Sequence, residues 1–349
     1  MKEATLYHSL PSQAVQCTAC NWYCKIADGK AGVCGIRENI KGKLFLLTYG
    51  KPIAVHIDPI EKKPLYHFLP GTDIFSLGTI GCNFQCGFCQ NWDISQLVRE
   101  NKKGGNEKKV SELIQQTGEE WMPQKIVDYC TTQGIPSIAY TYNEPAIFFE
   151  YAFDTAKLGN QRRLKNVFVS NGYESKEAIE TIEPVLDAIN IDLKSFSEKF
   201  YQKNCKAKLE PVLETIKRVA KTKIWVEITT LLIPGENDSD SELKQIAEFL
   251  VSINPGIPWH VTAFHPDYQM LDKNPTPSET LWRAHQIGKK EGLQFVYAGN
   301  VSDNKHSATK CPRCEKTLIE RNWHAVSENN IKKGCCSFCG ESIPGVWEA

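Results

Sequence analysis

The 349-residue chain is predicted to be an α/β protein whose core is an open or partial β/α barrel. Three observations predict this fold: short apolar runs alternate with helical segments, the runs are almost continuously apolar, and polar side chains gather where the runs end. In chain order, the predicted strands are IFSLGTIG, SIAYTY, KNVFVSNG, AINIDLK, KIWVEITTLLIPG, PWHVTAFHP and LQFVYAGN. The predicted helices between them include AIFFEYAFDTAKL and SKEAIETIEPVLDA.

Polar residues follow several of these strands directly. They are Asn143, Glu144, Ser170, Asn171, Asp192, Lys194 and His265. Parallel strands place their carboxyl ends at one edge of a sheet, and α/β folds build their sites at that edge. We therefore expect these side chains to belong to one functional site.

The distribution of cysteines divides the chain into three predicted parts. Residues 1–45 form a four-cysteine metal-binding module, residues 46–303 form the barrel, and residues 304–349 form a zinc-ribbon-like module. Within the barrel, the stretch 99–118 is charged and contains glycine. It is predicted to be an exposed surface loop that precedes a helix starting near Pro123.

Charge and hydropathy narrow the function classes. Lysine plus arginine and aspartate plus glutamate number 41 each, so no net field draws the chain to nucleic acid or anionic lipid. The basic patch near Trp323 and Trp347 is also too thin to indicate nucleic-acid binding. No signal peptide and no apolar span is present, which predicts a soluble, cytoplasmic protein with no membrane partner. In that reducing compartment, clustered cysteines indicate metal sites rather than disulfides.

The central cysteine loop, GCNFQCGFCQNW, carries Cys82, Cys86 and Cys89 directly after a predicted strand, with the aromatic Phe88 before the last of them. Thiolates favour soft metals such as the iron of iron–sulfur clusters, and three ligands leave one iron of a 4Fe–4S cluster open. The alternative is a structural zinc site with a fourth ligand from elsewhere, although zinc sites usually pair two C-x2-C motifs.

This C-x3-C-x-aromatic-C loop resembles the signature of the radical S-adenosylmethionine (SAM) superfamily. Longer strings, among them EKKPLYHFLPG, YTYNEP, LLIPGENDS and VYAGN, are similar to the AmmeMemoRadiSam-system radical SAM proteins, which resemble pyruvate formate-lyase activating enzymes. The resemblance implies a partial (β/α)6-type barrel, a 4Fe–4S cluster on the three cysteines, and bound SAM. It also implies that SAM is cleaved reductively to a 5'-deoxyadenosyl radical, which abstracts hydrogen from a substrate.

The resemblance also implies roles for the strand-end residues. TYNEP stands where the superfamily usually has Gly-Gly-Glu; it keeps Glu144, beside Asn143, but loses both glycines. SNG and DLK correspond to segments that line SAM and a monovalent cation in the activating enzymes, although Val169 replaces an acidic residue of that pattern. The implied cofactor contacts are Phe88, Asn143, Glu144, Ser170, Asn171, Asp192, Lys194 and His265.

Two further cysteine groups flank the barrel. Near the start, four cysteines can close a tetrahedral site for zinc or hold an auxiliary iron–sulfur cluster; they are Cys17, Cys20, Cys24 and Cys34. At the other end, two C-x2-C motifs have zinc-ribbon spacing and leave Cys335 as the spare thiol; their members are Cys311, Cys314, Cys336 and Cys339. Both groups are interpreted as structural metal staples ahead of any catalytic role.

The predicted function is a radical SAM oxidoreductase that resembles the activating enzymes and acts on a protein or peptide. Its expected partners are a flavodoxin or ferredoxin as reductant, the polypeptide substrate, and AmmeMemoRadiSam companion proteins. Two alternatives stay open at this point. One is a radical SAM enzyme that acts on a small molecule, and the other is a non-catalytic, metal-stapled adaptor or redox sensor, which the lost glycines of TYNEP favour.

Overall fold

The structure is a computed structural model that describes residues 1–103 and 109–348. The chain divides into two compact units. The first comprises Met1–Ile57 and Ile74–Asp187, and the second comprises Asp58–Asp73 and the chain from Ala188 onward. Each unit is described by itself below.

Strands of the first part of the chain form two small antiparallel sheets, β1-β6-β5 and β2-β3-β4, and a parallel run in which β9 lies between β8 and β10. The strands are β1 (Lys2–Glu3), β2 (Tyr7–Ser9), β3 (Val15–Cys17), β4 (Lys25–Ile26), β5 (Arg37–Ile40), β6 (Lys43–Leu46), β7 (Ala54–Pro59), β8 (Asp73–Gly78), β9 (Ser137–Tyr140) and β10 (Lys165–Ser170). All four residues of β9 are buried, as expected for a strand covered on both faces.

Helices of the first unit follow its parallel strands. They are α1 (Trp92–Ser95), α2 (Leu97–Lys103), α3 (Val110–Thr117), α4 (Pro123–Gln133), α5 (Phe149–Gln161) and α6 (Lys176–Ile182). α4 begins with Pro123 and is capped after Gln133 by Gly134, whose φ of 68° places it in the left-handed region where glycine is preferred. The predicted helix start near Pro123 is therefore confirmed.

The predicted surface loop at 99–118 was wrong over most of its length. α2 and α3 occupy much of it, and its central part, residues 104–108, lies outside the described residues. The charged composition concealed a helical pattern: in VSELIQQT, Leu113 and Ile114 lie three and four residues after Val110 and are buried. This spacing places the three side chains on one face of α3.

The second unit continues the parallel βα alternation and ends in small antiparallel sheets. Its strands are β11 (Ala188–Asp192), β12 (Trp225–Leu232), β13 (Trp259–Ala263), β14 (Val296–Gly299), β15 (Thr309–Lys310), β16 (Thr317–Asn322), β17 (Ala325–Asn329), β18 (Ile331–Lys332) and β19 (Cys335–Cys336). Its helices are α7 (Glu198–Phe200), α8 (Glu210–Val219), α9 (Asp240–Ile253), α10 (Ser278–Glu291) and α11 (Asn304–Ser307). β11 to β14 are parallel neighbours in that order. All seven predicted strands are present, which confirms the α/β fold class.

A buried carboxylate, Glu227 on β12, fixes the segment Asp58–Asp73 within the second unit. Its oxygens accept hydrogen bonds from the backbone N–H groups of Tyr66 and His67 at 2.9 and 2.8 Å. They also accept from Trp225 Nε1 and bond to His260 Nε2 at 2.7 Å. Although burial opposes the charge, these hydrogen bonds and the nearby histidines lower the pKa of Glu227.

His67 joins the same segment to the end of the chain. Its Nδ1 lies 2.7 Å from the carbonyl oxygen of Pro344, which can only accept, so Nδ1 carries the proton. Its Nε2 therefore accepts from the hydroxyl of Tyr297 at 2.6 Å. Burial lowers the pKa of His67 to about 4, so the imidazole is neutral in the folded protein.

This buried neutral imidazole predicts a pH dependence of stability. An unfolded histidine has a pKa of about 6.5, so the unfolded state binds more protons between pH 6.5 and 4, and stability falls as the pH falls through that window. We expect His67 to account for about 2 kcal/mol of stability lost between pH 7 and 5. Urea denaturation at the two pH values should show a smaller loss for His67→Gln than for the wild type. An equal loss in both proteins would contradict the assignment.

Among the described residues, no helix is both long enough and apolar enough to cross a lipid bilayer.

Candidate cluster site and flanking metal centres

The central cysteine loop begins directly after β8 ends. Cys82 and Cys86 are buried and Cys89 is half-buried, and Phe88 is also buried. Inside the loop, the N–H of Cys89 donates to the carbonyl of Cys86 at 3.2 Å, and the N–H of Phe84 points at Cys82 Sγ at 3.4 Å. Such N–H donors stabilise a thiolate. The loop is therefore already folded into a turn that presents its thiols.

Gly81 starts this loop in a conformation that excludes other residues. Its φ is +87°, and a Cβ there would come within 2.7 Å of the carbonyl oxygen of Cys34. The left-handed backbone and this close approach both require glycine. The cluster loop and the N-terminal cysteine module therefore pack backbone against backbone.

Arg99 lies on α2, which follows the loop in the sequence, and its side chain binds the backbone of the loop. Its guanidinium donates to the carbonyl oxygens of Phe84 at 2.9 Å and Cys82 at 2.8 Å. It also donates to the carbonyl of Val33 at 3.0 Å. One side chain thus satisfies three backbone acceptors and ties the cluster loop to the segment between the third and fourth N-terminal cysteines.

Asn83 connects the loop to β10 and to the N-terminal module. Its Oδ1 accepts from Asn171 Nδ2 at 2.7 Å, and its carbonyl accepts from Trp22 Nε1 at 3.0 Å. Its buried Nδ2 has no hydrogen-bond partner among the described residues. A buried unsatisfied donor beside Cys82 fits a site that receives an additional acceptor, such as a cluster sulfide or a SAM carboxylate.

Burial raises the pKa of the Cys82 thiol, with a further contribution from the carboxylate of Glu144. Burial thus favours the protonated thiol, and a bound iron would supply the positive charge that displaces this proton. Cys89 Sγ lies 3.0 Å from Ser95 Oγ, a contact available to tune that sulfur. The residues present therefore fit an iron–sulfur cluster.

Asn143, a candidate for SAM binding, is engaged with the start of the loop. Its Nδ2 donates to the carbonyl of Gly81 at 2.9 Å and to Thr79 Oγ1 at 3.2 Å, and its Oδ1 accepts from the N–H of Thr79 at 3.3 Å. The preceding Tyr142 has a φ of +68°. The TYNEP turn thus braces the cluster loop through a side chain, where Gly-Gly-Glu would offer backbone.

Glu144 is completely buried and binds two other predicted site residues, Ser170 and Asn171. Its oxygens accept from Ser170 Oγ at 3.1 Å and from the N–H of Asn171 at 2.8 Å, and one of them caps the N–H of Ala146. Burial and the neighbouring Glu174 raise the pKa of Glu144. Glu174 has a raised pKa as well, because it is equally buried. Both carboxyl groups therefore ionise less readily than an exposed glutamate does.

The remaining strand-end candidates lie in the second unit. Asp192 ends β11, and its carboxylate pairs with Lys194 Nζ at 2.8 Å. The N–H of Lys194 donates to Tyr201 OH at 3.1 Å. His265 follows β13 with an exposed side chain, 4.0 Å from Asp267. Asp192 and Lys194 thus form a preassembled pair, whereas His265 is on an open loop.

The four N-terminal cysteines line one small pocket together with Arg37 and Asn83. Arg37 is buried and makes a two-pronged ion pair with Glu150 at 2.7 and 2.9 Å. Although burial opposes the charge of Arg37, Glu150 and the neighbouring cysteines raise its pKa. Its Nε has no hydrogen-bond partner among the described residues. Arg37 therefore offers positive charge and a free donor to thiolates in this pocket.

Removing Arg37 is expected to destabilise the first unit strongly. In Arg37→Met the buried carboxylate of Glu150 loses its partner, which costs about 3–5 kcal/mol of unfolding free energy. Urea denaturation would measure this loss, and the double variant Arg37→Met/Glu150→Met should lose much less than the sum of the single variants. The exposed pair of Lys43 and Glu3, 3.0 Å apart, is the control. Lys43→Met is expected to leave stability almost unchanged, and similar losses at both pairs would contradict the prediction.

The four C-terminal cysteines converge on one point. Cys311 and Cys339 lie 3.6 Å apart and Cys314 and Cys336 lie 3.8 Å apart, measured between sulfurs. Four sulfurs at about 2.3 Å from one zinc would be about 3.8 Å from each other. Among the described residues, these are the one group of three or more histidine, cysteine or acidic ligands whose atoms all lie within 4.8 Å. The spare thiol of Cys335 is outside that group.

Ionisation and packing also suit metal binding at this end. Burial acts against ionisation of Cys336, but the N–H groups of Phe338 and Cys339 outweigh it and lower the pKa of Cys336 to about 7, whereas the neighbouring sulfurs raise the pKa of Cys339. A thiol that is partly ionised at neutral pH captures metal readily. The module packs within the second unit on a buried cluster that includes Tyr66, Phe295 and Tyr297. These residues can hold a metal ion, which supports a metal-binding module here.

Sequence reasoning missed Arg37, Asn83, Arg99, Glu150 and Glu174. Asn83 lies inside the cysteine motif, so its position next to Cys82 was a usable signal. Charged residues are rarely fully buried, so the sequence favoured solvent exposure for Arg37 and Glu150. Their pairing, which joins β5 to α5, has no local signature.

The chain is similar to several known proteins. The chain is 25% identical to a domain of a pyruvate-formate lyase-activating enzyme from Bacteroides vulgatus, with a TM-score of 0.42 over 46% of this chain and 98% of that one. It is 27% identical to a Methanocaldococcus jannaschii protein assigned by name to the glycyl-radical enzyme activating enzymes, over 66% of this chain and 80% of that one. An uncharacterized protein of the same organism is 42% identical over 98% of this chain and 99% of its own length.

The family comparison matches the part of the chain that contains the cysteine loop. Residues 77–250 match the model of the radical SAM superfamily, from the end of β8 to α9. Members of this superfamily use a 4Fe–4S cluster and SAM. These are the cofactors that the cysteine loop predicts. The chain belongs to the radical SAM superfamily of enzymes.

Proposed function

We propose that this protein is an oxidoreductase of the activating-enzyme kind, in which Cys82, Cys86 and Cys89 hold the 4Fe–4S cluster and the substrate is a protein or peptide. When bound, the cluster supplies the electron that cleaves SAM into methionine and a 5'-deoxyadenosyl radical, which becomes 5'-deoxyadenosine by taking a hydrogen atom from the substrate. A flavodoxin or ferredoxin is the proposed electron donor.

One observation carries this proposal: three cysteines lie in a folded loop at the carboxyl end of the first parallel strand, beside a buried donor that has no partner in the described chain. Arg99 and Asn143 fix the backbone of the loop, so its thiols are held in place before a cofactor binds. The Nδ2 of Asn83 is the free donor.

Other residues of the first unit would prepare the place where SAM binds. Glu144 holds Ser170 Oγ and the N–H of Asn171, so it orders the end of β10. Asn171 in turn orients Asn83. We assign Glu144 a positioning role and Asn83 the contact to the cofactor, with Phe88 as buried packing behind the third cysteine. For the second unit, Asp192, Lys194 and His265 stay proposed contacts to SAM or a monovalent cation.

The flanking cysteines are proposed to hold structural metals. Four thiolates around one zinc carry two negative charges in excess, and Arg37 would offset part of that charge at the N-terminal pocket. An auxiliary iron–sulfur cluster suits the same four thiolates. For the C-terminal set, the sulfur separations of 3.6 and 3.8 Å favour a single zinc.

A protein or peptide substrate is proposed because of the relative assigned to the glycyl-radical enzyme activating enzymes, with which this chain shares 27% identity. The AmmeMemoRadiSam companions would be further partners. The alternative is a small-molecule substrate, and the second test below distinguishes it from a polypeptide.

The first test measures SAM cleavage by the anaerobically reconstituted full chain. With dithionite and SAM, we expect 5'-deoxyadenosine by mass spectrometry and a change in the electron paramagnetic resonance spectrum of the reduced cluster when SAM is added. A reducible cluster whose spectrum does not respond to SAM, with no 5'-deoxyadenosine formed, would reject the enzyme.

The second test identifies the substrate class. Extracts of cells grown in deuterated medium are separated into a protein fraction and a small-molecule filtrate, and each is added to the reaction. We expect deuterium in 5'-deoxyadenosine from the protein fraction. Deuterium that comes only from the filtrate would reject a polypeptide substrate and leave the SAM chemistry intact.

A further inference from the structure

A pocket of about 500 Å³ lies in the second unit, and none of the described residues that line it is a cysteine. It is formed by the tip of the hairpin between β16 and β17 and by the segment that precedes β8, and its lining includes Glu61, Asp73, Trp323, His324 and Val326. Its volume is within the range of small-molecule and side-chain binding sites. The proposed radical chemistry does not use these residues.

Glu61 is one of the residues that line this pocket, and its carboxylate is buried. Its side chain is 0% exposed. Its Oε1 accepts from the N–H of Gly71 at 3.0 Å and lies 3.6 Å from Arg321 Nε, whereas its Oε2 has no hydrogen-bond partner among the described residues. Burial raises the pKa of Glu61, in opposition to Arg321. A buried acceptor without a partner is costly unless a donor arrives.

Arg321 does not bond to this oxygen: its Nε, which lies nearer Oε1, has no hydrogen-bond partner among the described residues, and its other two nitrogens are directed elsewhere. They donate to the carbonyl oxygens of Ser307 at 3.1 Å and Tyr66 at 2.7 Å, and to Thr309 Oγ1 at 2.9 Å. Its guanidinium also lies 4.0 Å from the centre of the Tyr66 ring. Arg321 is thus locked in place and leaves the second oxygen of Glu61 available.

Trp323 supplies an aromatic wall. It lies at the turn between β16 and β17 with a φ of +59° and 52% of its surface exposed. A left-handed backbone is strained for a bulky residue, and such strain is concentrated at binding sites. The ring of His324 meets it edge-on at 5.2 Å, and the buried Nδ1 of His324 lacks a partner among the described residues.

The exposed charge in the lining of the pocket is negative. Asp73 lines it with an exposed carboxylate, and of the described residues that line it none is lysine or arginine. The nearby Lys62 and Lys63 are both paired with Asp58, at 2.9 and 2.6 Å. Burial lowers the pKa of His324, so its ring is neutral and can accept a hydrogen bond. The pocket thus offers acceptors and an aromatic face.

We propose that this pocket binds an alkylammonium or guanidinium group, namely the side chain of a lysine or arginine on another polypeptide. The cation would donate to Glu61 Oε2 and Asp73 while its aliphatic stem or planar group packs on Trp323. This site is independent of the proposed SAM chemistry, and it would give the protein a way to recognise basic segments of a partner.

The test uses the full, metal-loaded chain labelled with 15N at its tryptophan indoles, without SAM or reductant. Binding of N-acetyl-lysine amide and N-acetyl-arginine amide is followed by NMR, with the Trp323 signal assigned from Trp323→Ala. The uncharged analogues norleucine and citrulline, as the same amides, are the ligand controls. We expect a saturable shift of the Trp323 signal with at least one cation, and binding about tenfold weaker for the neutral analogue.

Glu61→Gln is expected to weaken the cation about tenfold, and Asp73→Asn on the exposed rim less. Asp73→Asn also tests the site should Glu61→Gln fail to fold. Trp282→Ala, at another exposed tryptophan of this unit, is the control and should bind as the wild type does. No saturable shift, equal binding of the neutral analogues, or binding insensitive to Asp73→Asn would overturn the proposal. Because SAM is absent, none of these outcomes bears on the SAM chemistry.

Discussion

Alanine at Cys82, Cys86 or Cys89 is expected to abolish SAM cleavage, with 5'-deoxyadenosine production falling more than about a thousandfold, because the cofactor carries the chemistry. Each thiol would bind a different iron, so loss of one leaves a second iron without a protein ligand. Iron and sulfide analysis after anaerobic reconstitution, together with the absorbance of the cluster, should show reduced cluster content in each variant.

Cys130→Ala is the matched control for this prediction. Cys130 is completely buried in α4 of the same unit, so its substitution removes a buried thiol of equal size outside the loop. It should keep normal iron content and SAM cleavage. If the loop variants keep a full cluster and normal cleavage, the assignment of the three ligands is wrong.

The double variant Cys311→Ala/Cys314→Ala is expected to lose one equivalent of metal and to unfold the C-terminal module. Structural zinc contributes roughly 10–16 kcal/mol of apparent binding free energy in zinc-finger peptides, and two remaining thiols cannot close the tetrahedron. Metal analysis by mass spectrometry would measure the loss. Hydrogen exchange of β15 to β19 would report the unfolding as faster deuterium uptake.

Cys335→Ala provides the control at the adjacent position. Cys335 is next to Cys336 in β19 but is outside the group of converging sulfurs. This variant should keep its metal and its slow exchange. If the double variant keeps its metal, or Cys335→Ala loses it, the four-cysteine site is wrong.

The strands of this fold were predictable because their apolar runs are almost continuous. A strand such as SIAY is buried along its whole length, and this leaves a pattern in the sequence that needs no knowledge of its neighbours. α3 was missed because it has no such continuous apolar run. Its two buried residues, Leu113 and Ile114, lie among charged and polar residues, so composition outweighed spacing.

The site was only partly predictable because its support comes from distant parts of the chain. The three cysteines and Glu144 could be proposed because each belongs to a short local motif, GCNFQCGFCQNW or TYNEP. In contrast, Arg99 donates to Val33, and Trp22 donates to Asn83. These contacts depend on how the folded chain brings distant segments together, which local patterns do not encode.

The contact of Arg99 with both segments limits how far the protein can be shortened. A chain that starts at residue 46 would lack the carbonyl of Val33, the indole of Trp22 and the buried Arg37, and Gly81 would lose its neighbours Cys34 and Ile36. The N-terminal cysteine module is therefore part of the support of the cluster loop rather than a detachable accessory. Grafting only the barrel into another protein would transfer the cysteine motif without the scaffold that shapes it.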